Sequence, residues 1–296
     1  MSISATCATI LGVLAAAKGG ETITLKGDCA RITITRSYSR PVTIQADGAK
    51  VRGLVVTGGQ NISWRGGAIS APQGPHGSGR DGYGVLIRDA AKVSITGALI
   101  TSAKKGVVLD GAREVTLNDN RFQHYGEDGV IASNTKGLTI LRNTFADQIG
   151  KPTQCNVAGK ITLGVKRRDC VALGGAWVDG YHNDAVQMRN GVADAVIAYN
   201  RVEGETQGLT QMDKDGDAPL ENIRIEFNTI QTDGYHQITL GDCRSCSIRM
   251  NTVQRAKGST KKAVIRAQAG AMVCGNTVPD MPSSAGPRCN DAPAAK

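Results

Sequence analysis

Hydrophobic and polar positions alternate in short runs along this chain, and six of the runs end in Asn followed two residues later by an aliphatic residue or Phe. The six residues are Asn120, Asn143, Asn200, Asn228, Asn251 and Asn276. Alternation with a period of two predicts β-strands, and recurrence at roughly 23 to 28 residues is typical of one turn of a solenoid. The longer interval between Asn143 and Asn200 indicates an insertion of roughly thirty residues.

A second short strand precedes each of these runs. Its copies are Val85–Ile87, Val107–Leu109, Val130–Ala132, Val186–Met188, Thr210–Met212, Ile238–Leu240 and Ala263–Ile265. Two or three short strands per repeat, each covered only by the neighbouring turns, predict an all-β fold: a parallel β-helix, or solenoid, of about nine turns. We interpret the six Asn side chains as an internal file that satisfies backbone groups, and exclude them from the candidate site.

The ends of the solenoid need protection, and the N-terminal sequence offers it. Ala5–Lys18 is predicted to be a helix that closes the first turn, so residues 1–20 form a helical cap on a single domain of residues 1–296. Ala8–Ala17 is the longest apolar stretch and is too short to span a bilayer, so we expect no membrane insertion. No basic segment precedes it, and we expect a secreted or periplasmic protein whose signal peptide has been removed.

Eight cysteines fall into four pairs that are close in sequence: Cys7 with Cys29, Cys155 with Cys170, Cys243 with Cys246, and Cys274 with Cys289. An even number of cysteines with near neighbours predicts disulfides and an oxidising compartment. The alternative is zinc, which the spacing of Cys243 and Cys246 permits, but no second such pair completes four ligands.

The formal net charge of +9 favours a polyanionic partner. An acidic polysaccharide or oligosaccharide is the partner we predict. Nucleic acid is the weaker interpretation, because no row of aromatic side chains and no nucleic-acid-binding motif accompanies the charge. The sequence leaves the oligomeric state open.

The repeats, together with the segment Ala15–Leu25, resemble the right-handed parallel β-helix superfamily of pectate-lyase-like proteins. That segment matches the N-terminal cap and first turn common in the superfamily. The resemblance covers nearly the whole chain. It implies a right-handed coil and a carbohydrate-active protein, with the reaction left open.

Aligning the second strands of the repeats places Asp128 over Asp184 in adjacent turns. Alternation then points Gln187 and Arg189 outward and, if Thr210 and Met212 face inward, stacks Gln187 over Gln211 and Arg189 over Asp213. The candidate catalytic residues are His182, Asp184, Arg189, Tyr181, Asp128 and Asp213. The candidate substrate-binding residues are Gln187, Gln211, His236, Lys105, Lys166, Arg167 and Arg168. We expect this set on one open face of the solenoid.

Two further segments bear on the site. Asp213, Asp215 and Asp217 alternate around Gly216 as in calcium loops, so Ca²⁺ is a possible cofactor, and the alternative is an ordinary turn between strands. The insertion, residues 147–178, is basic and contains Cys155 and Cys170. We expect it to overhang the site and to hold carboxylates of an acidic glycan, or else to be a solvated loop.

Several reactions fit this residue set. A polysaccharide lyase acting by β-elimination would use His182 or Tyr181 as base and acid, and Arg189 or calcium to neutralise the uronate carboxylate. A glycoside hydrolase would use paired carboxylates from among Asp128, Asp184 and Asp213. The Arg-x-Pro-x-x-Arg motif of pectate lyases, the Asp-Pro-His motif of C5 epimerases and the polygalacturonase motifs are absent. An epimerase and a non-catalytic glycan-binding or phage-spike-like β-helix therefore stay open as further alternatives.

Overall fold

Most of the strands of the chain wind into one solenoid. In a computed structural model, residues 2–149, 154–163, 167–178, 183–212 and 216–289 are described. The strands are β1 (Ser2–Thr6), β2 (Thr22–Cys29), β3 (Ile32–Ile34), β4 (Ser37–Gln45), β5 (Ala49–Arg52), β6 (Leu54–Thr57), β7 (Gln60–Arg65), β8 (Ala68–Ser70), β9 (Tyr83–Arg88), β10 (Ala91–Thr96), β11 (Leu99–Asp110), β12 (Arg113–Asn118), β13 (Arg121–Ser133), β14 (Lys136–Leu141), β15 (Thr144–Phe145), β16 (Gln154–Val157), β17 (Lys160–Leu163), β18 (Ala176–Val178), β19 (Asp184–Arg189), β20 (Ala193–Ala198), β21 (Arg201–Gly204), β22 (Leu209–Gln211), β23 (Leu220–Glu226), β24 (Thr229–Thr232), β25 (Ile238–Leu240), β26 (Cys243–Arg244), β27 (Ser247–Arg249), β28 (Thr252–Arg255), β29 (Ile265–Ala267) and β30 (Met272–Cys274). The α-helices are α1 (Ile10–Ala16) and α2 (Arg167–Ala172), and short 3₁₀ helices cover Gly74–His76, Gly79–Gly82 and Pro282–Ser284.

Parallel pairing between successive turns arranges the solenoid strands into three faces. The first face contains β1, the start of β2, β4, β7, β10, β12, β14, β20, β23, β27 and β30. The second contains the end of β2, β5, β8, the starts of β11 and β13, β15, β21, β24 and β28. The third contains β3, β6, β9, the ends of β11 and β13, β19, β22, β25 and β29. The predicted all-β parallel solenoid is confirmed, with one third-face strand in each turn.

The core of the solenoid is a thin column of aliphatic side chains. Val107, Val130 and Val186 occupy one register position in three successive turns, and each is fully buried. Phe122 and Phe145 stack in adjacent turns with ring centroids 4.5 Å apart. Because each inward side chain rests on the equivalent side chain of the next turn, burial and strand pairing depend on the same register.

The six Asn residues form the predicted internal file, at the corner where each turn passes from the first face to the second. Each is at most 9% exposed, from Asn120 to Asn276. The Oδ1 atom of Asn143 accepts hydrogen bonds from the Asn120 backbone N–H at 2.9 Å and from the Asn120 side chain at 3.0 Å, and the pattern repeats to Asn276. The Asn143 amide donates in turn to the Leu117 carbonyl at 2.9 Å. The ladder therefore satisfies the corner backbone, as predicted.

The N-terminal cap is smaller than the predicted helix Ala5–Lys18. Helix α1 spans only Ile10–Ala16 and buries Ile10 and Leu14. Ser2–Thr6 is instead a strand that pairs in parallel with the start of β2. Its Ser-Ile-Ser-Ala-Thr alternation has the period of a strand, and pairing with an existing edge adds backbone hydrogen bonds that a longer helix would forgo.

The four predicted disulfides are confirmed: Cys7–Cys29, Cys155–Cys170, Cys243–Cys246 and Cys274–Cys289. Cys155–Cys170 lies within the predicted insertion, where β16 pairs antiparallel with β17 and β18, and it joins β16 to α2. Among the described residues, no helix combines the length and apolar character needed to cross a membrane.

Candidate active site

A row of dissimilar polar side chains occupies the corner between the second and third faces. Strand register brings Tyr83, Lys105, Asp128 and Asp184 into neighbouring positions of successive turns, and we call these four residues the corner row. The predicted stacking of Asp128 over Asp184 is confirmed. The turns approach closely here. A Cβ atom at Gly129 would lie only 2.7 Å from the Ala185 carbonyl oxygen. Only glycine at position 129 permits this spacing without a shift of the backbone.

Asp128 is a deeply buried carboxyl group with a raised pKa. It is 1% exposed, and burial raises its pKa from 3.8 to about 7, against the opposing effect of Lys105. The Lys105 ammonium lies 3.1 Å from Asp128 Oδ2 and 3.6 Å from Glu127 Oε1. Asp128 Oδ1 has no hydrogen-bond partner among the described residues. A carboxyl group that titrates near neutral pH beside a cation is suited to proton transfer.

Lys105 stays a cation in this environment. Burial acts to lower its pKa, but the charges of Asp128 and Glu127 more than reverse that effect, and the pKa is raised. Lys104 also pairs with Glu127, at 3.4 Å between Nζ and Oε2. Lys105 is therefore a fixed positive charge, and Asp128 is the group of the pair that changes protonation near pH 7.

Asp184 is equally buried but differs in its hydrogen bonding. Its Oδ1 accepts a hydrogen bond from the Thr210 hydroxyl at 2.9 Å, and its Oδ2 accepts one from the Gln187 amide at 3.0 Å. Both oxygens of Asp184 therefore have a hydrogen-bond donor, which Asp128 Oδ1 lacks among the described residues. The two stacked carboxyl groups thus stand in different environments, as is typical of pairs that divide acid and base roles.

Tyr125 lies behind the row and was missed by the sequence analysis. It is 1% exposed, its hydroxyl accepts a hydrogen bond from the Gln148 amide at 2.8 Å, and burial raises its pKa. Glu127 was missed as well. Both residues belong to the segment that contains Asp128, so their position in the sequence was the available signal; their contacts depend on the turns above and below.

A shallow groove of about 200 Å³ crosses the outer surface of the third face beside the row. Its lining residues are Tyr83, Lys105, Val108, Leu109, Asp110, Ile131, Ser133 and Arg189. Lys105 and Arg189 are the two cations of this lining. The Arg189 guanidinium lies 3.3 Å from Asp217 Oδ2, and its buried Nε has no hydrogen-bond partner among the described residues.

Two details of the predicted site are wrong, namely the exposure of the two stacked carboxyl groups and the alternation in β22. Asp128 and Asp184 are 1% and 2% exposed, so they lie beneath the surface of the corner. In β22 the alternation is shifted by one residue from the prediction: Leu209 and Gln211 pair with the inward residues Val186 and Met188, and Gln187 pairs with Thr210.

Gln211 is consequently a structural residue in this turn. Its side-chain carbonyl accepts hydrogen bonds from the backbone N–H groups of Gly241 at 2.9 Å and Asp242 at 3.0 Å, and its amide donates to the Asp242 carbonyl at 2.8 Å. Met212, predicted to face inward, is 41% exposed. A polar residue takes the inward position because it satisfies the backbone of the following turn.

The other predicted residues divide by whether the structure describes them. His236 is half-buried at the start of the third face, with Nδ1 3.2 Å from the Thr239 hydroxyl. Tyr181, His182, Asp213, Asp215 and Lys166 lie outside the described residues, and Arg167 and Arg168 are described only as backbone of α2. The predicted stacking of Arg189 over Asp213 and the calcium loop thus stay predictions. Among the described residues no cluster of three metal-ligating side chains occurs, and Asp217 pairs with Arg189.

The model of the right-handed β-helix region family matches residues 52–278, so the chain belongs to that family and its coil is right-handed. Comparison with curated proteins found no match. Among solved structures, the chain is similar to the Dettilon tailspike protein, with a TM-score of 0.55 and 15% identity over 91% of this chain and 56% of that one. It is also similar to an alginate lyase from Paenibacillus sp. str. FPU-7, with a TM-score of 0.53 and 13% identity over 94% of this chain and 98% of the lyase. A third similar structure is PfbA, a surface adhesin of Streptococcus pneumoniae, with a TM-score of 0.51 and 11% identity over 91% of this chain and 79% of that one.

These similarities show the fold. The chain spans only 56% of the tailspike chain. At 11 to 15% identity, none of the three neighbours establishes a reaction for this chain. The chemistry has to be argued from the corner row and the groove.

Proposed function

We propose that this chain is a secreted carbohydrate-active enzyme that cleaves an acidic, uronic-acid-containing polysaccharide by β-elimination. The observation that carries the proposal is the groove on the third face, which is lined by two cations, Lys105 and Arg189. The buried carboxyl group of Asp128, whose pKa is raised to about 7, pairs with Lys105. The volume of about 200 Å³ suits one sugar unit of a longer polymer crossing the face. Four disulfides agree with an oxidising, extracytoplasmic setting.

Elimination makes three chemical demands. The substrate carboxylate must be neutralised so that the C5–H bond becomes acidic, a base must take the C5 proton, and an acid must protonate the leaving glycosidic oxygen. Lys105 or Arg189 would pair with the substrate carboxylate. His182 or Tyr181, which directly precede Asn183 and the corner-row residue Asp184 in sequence, are proposed as base and acid.

Asp128 would support the reaction from beneath the surface. At neutral pH it is close to half protonated, so it can accept or return a proton without a large energetic cost. The Lys105 ammonium lies 3.1 Å from Asp128 Oδ2, so an ionised Asp128 would compete with the substrate carboxylate for Lys105 and a protonated Asp128 would compete less. The alginate lyase described above shares this scaffold, so the fold is compatible with a lyase.

The test is incubation with polygalacturonate, alginate and hyaluronate while following ultraviolet absorbance and reducing ends. Unsaturated products that absorb in the ultraviolet support elimination. Arg189→Ala should abolish most of this signal, whereas Arg113→Ala, which removes an exposed Arg from β12 on the first face, should leave the signal unchanged. Equal loss in both variants, or no loss in Arg189→Ala, would contradict the assignment.

A glycoside hydrolase is the second candidate, and the stacked pair Asp128 and Asp184 favours it. One carboxyl group has a pKa near neutrality and the other accepts two hydrogen bonds, as a general acid and a carboxylate partner would. New reducing ends without ultraviolet absorbance would identify this reaction. A glycan that binds without either product would identify a binding protein.

A further inference from the structure

The C-terminal end of the third face carries a basic patch apart from the groove. Residues 255–266 contain Arg255, Lys257, Lys261, Lys262 and Arg266 and no acidic residue. Tyr235 lies among them: Lys261 Nζ is 4.3 Å from the centroid of its ring, and Arg266 donates a hydrogen bond to its backbone carbonyl. We call Tyr235, Lys257, Lys261, Lys262 and Arg266 the distal patch.

The cations of the distal patch differ from several other basic side chains of the solenoid, which pair with carboxylates. Arg88, Arg142 and Arg249 each have a carboxylate within hydrogen-bond distance. Asp280 pairs with Arg255, at 3.5 Å. Among the described residues, no ion pair with a carboxylate occurs at Lys257, Lys261, Lys262 or Arg266. Unneutralised cations clustered on one surface create a local positive potential that attracts polyanions.

Strand register connects the distal patch to the groove. Ile131, which lines the groove, pairs with Gln187, which is followed in successive turns by Thr210, Thr239 and Arg266. Gln187 lies in β19 with the groove residue Arg189, and the three steps from Gln187 to Arg266, at about 4.8 Å each, cover about 14 Å, the length of roughly three sugar units. An extended glycan lying along the solenoid axis would reach both places on one face.

The side chains of the distal patch match the chemistry of a uronate. Tyr235 is 56% exposed, and an aromatic ring packs well against the C–H surface of a sugar. The ammonium of Lys261 lies at this ring and the guanidinium of Arg266 at the backbone carbonyl of the same residue, so a uronate packed on Tyr235 would have two cations nearby for its carboxylate.

We propose that the distal patch is a second binding subsite for the same acidic polysaccharide, which it holds about three sugar units from the groove. The inference rests on the proposed substrate class and not on the type of reaction. Binding at two places along one chain raises the effective concentration of the polymer at the groove. Long substrates should therefore benefit from the patch, and short ones should not.

The test compares the variant Lys261→Ala/Arg266→Ala with the variant Lys50→Ala/Arg52→Ala. The second pair removes the same residue types from β5 on the second face, where both side chains are exposed. Binding is measured by affinity electrophoresis on whichever of polygalacturonate, alginate and hyaluronate the wild type binds most tightly, and on that polymer after methyl esterification. We expect about tenfold weaker binding of the acidic polymer by the patch variant, wild-type binding by the control, and no difference on the esterified polymer.

Oligomers of two to eight units supply the second readout. The wild type should gain affinity with length up to about five or six units, and Lys261→Ala/Arg266→Ala should lose that gain while binding dimers and trimers normally. Unchanged binding of the long polymer by the patch variant, or an equal loss in the control, overturns the subsite and leaves the proposed function standing. If the wild type binds none of the three polymers, the proposed substrate class and the subsite are both wrong.

Discussion

Two corners of the solenoid carry rows of polar side chains, and the composition of the two rows differs. At the corner between the first and second faces, one residue type repeats, and Asn143 both accepts from Asn120 and donates to backbone carbonyls. At the corner between the second and third faces, four different residues follow one another. Two carboxyl groups are stacked there, and Asp128 Oδ1 has no hydrogen-bond partner among the described residues.

The two rows differ in how far their polar groups are satisfied within the solenoid. A repeated Asn satisfies its neighbours in any turn, so the ladder stabilises the coil wherever it extends. A row with an unsatisfied carboxyl and a pKa near 7 costs stability, and such arrangements are typical of sites where a proton or a ligand is handled. The comparison predicts that substitutions in the Asn ladder mainly lower the free energy of unfolding, and that substitutions in the corner row mainly lower turnover.

The largest effect is expected at the second corner. Asp184→Asn, and His182→Ala two residues earlier in the sequence, should reduce turnover of an acidic polysaccharide by about a hundredfold or more, because His182 is the proposed acid or base of the lyase and Asp184 a carboxylate of the hydrolase alternative. The melting temperature should change little for His182→Ala. Steady-state kinetics and a thermal melt measure both quantities. Full activity in a folded His182→Ala/Asp184→Asn double variant would place the active site elsewhere.

The opposite result is expected in the Asn ladder. Asn200→Ala removes the Oδ1 acceptor used by Asn143 and the amide donor to the Ile140 carbonyl, all within the core. Unsatisfied buried groups should lower the free energy of unfolding by about 3 kcal/mol, measured by urea denaturation. Residual folded protein should keep wild-type kcat. Asn118→Ala, which removes an Asn outside the ladder, is the control and should cost far less.

Asp128 predicts a pH dependence of stability that an Asn replacement removes. Because its pKa is raised to about 7 in the folded state, the folded chain holds a proton that the unfolded chain releases above about pH 4. The contribution of Asp128 to the free energy of unfolding is fully present below about pH 4 and is lost as pH rises through about 7. Between pH 5 and 8 the wild type should lose about 3 kcal/mol relative to Asp128→Asn.

Urea denaturation across this pH range measures the difference between the two proteins. Asp242→Asn, at an exposed position, is the control and should follow the wild type. If Asp128→Asn and the wild type show parallel curves, the raised pKa of Asp128 is wrong.

The smallest effect is expected from the insertion, whose basic residues were assigned from the sequence alone. Replacing Lys166, Arg167 and Arg168 with Ala should weaken binding of an acidic polysaccharide severalfold and reduce its dependence on salt, because exposed charges act through screened interactions. Binding at 50 and 300 mM NaCl measures both. An unchanged salt dependence would show that the insertion does not contact the polymer.

Features that depend on short-range repetition were predictable from the sequence. The Asn spacing, the alternating runs and the four local cysteine pairs identified the solenoid, its ladder and its disulfides, because each turn repeats the environment of the last. The stacking of Asp128 on Asp184 followed from aligning Gly129-Val130 of one repeat with Ala185-Val186 of the next. Predictions failed where the alternation had two possible phases, as at Gln211, and where the boundary between a strand and a helix was open, as at Ser2–Thr6.

The sequence by itself determined the architecture, since strand period, repeat length and cysteine pairing are local properties of the chain. Only the tertiary structure decided which polar groups are buried and what they touch. The raised pKa of Asp128, the pairing of Lys105 with Asp128 and Glu127, and the partnership of Arg189 with Asp217 all join residues of different turns. Burial and electrostatic coupling depend on distances across turns, and a one-residue shift in register changes both without altering the repeat that defines the fold.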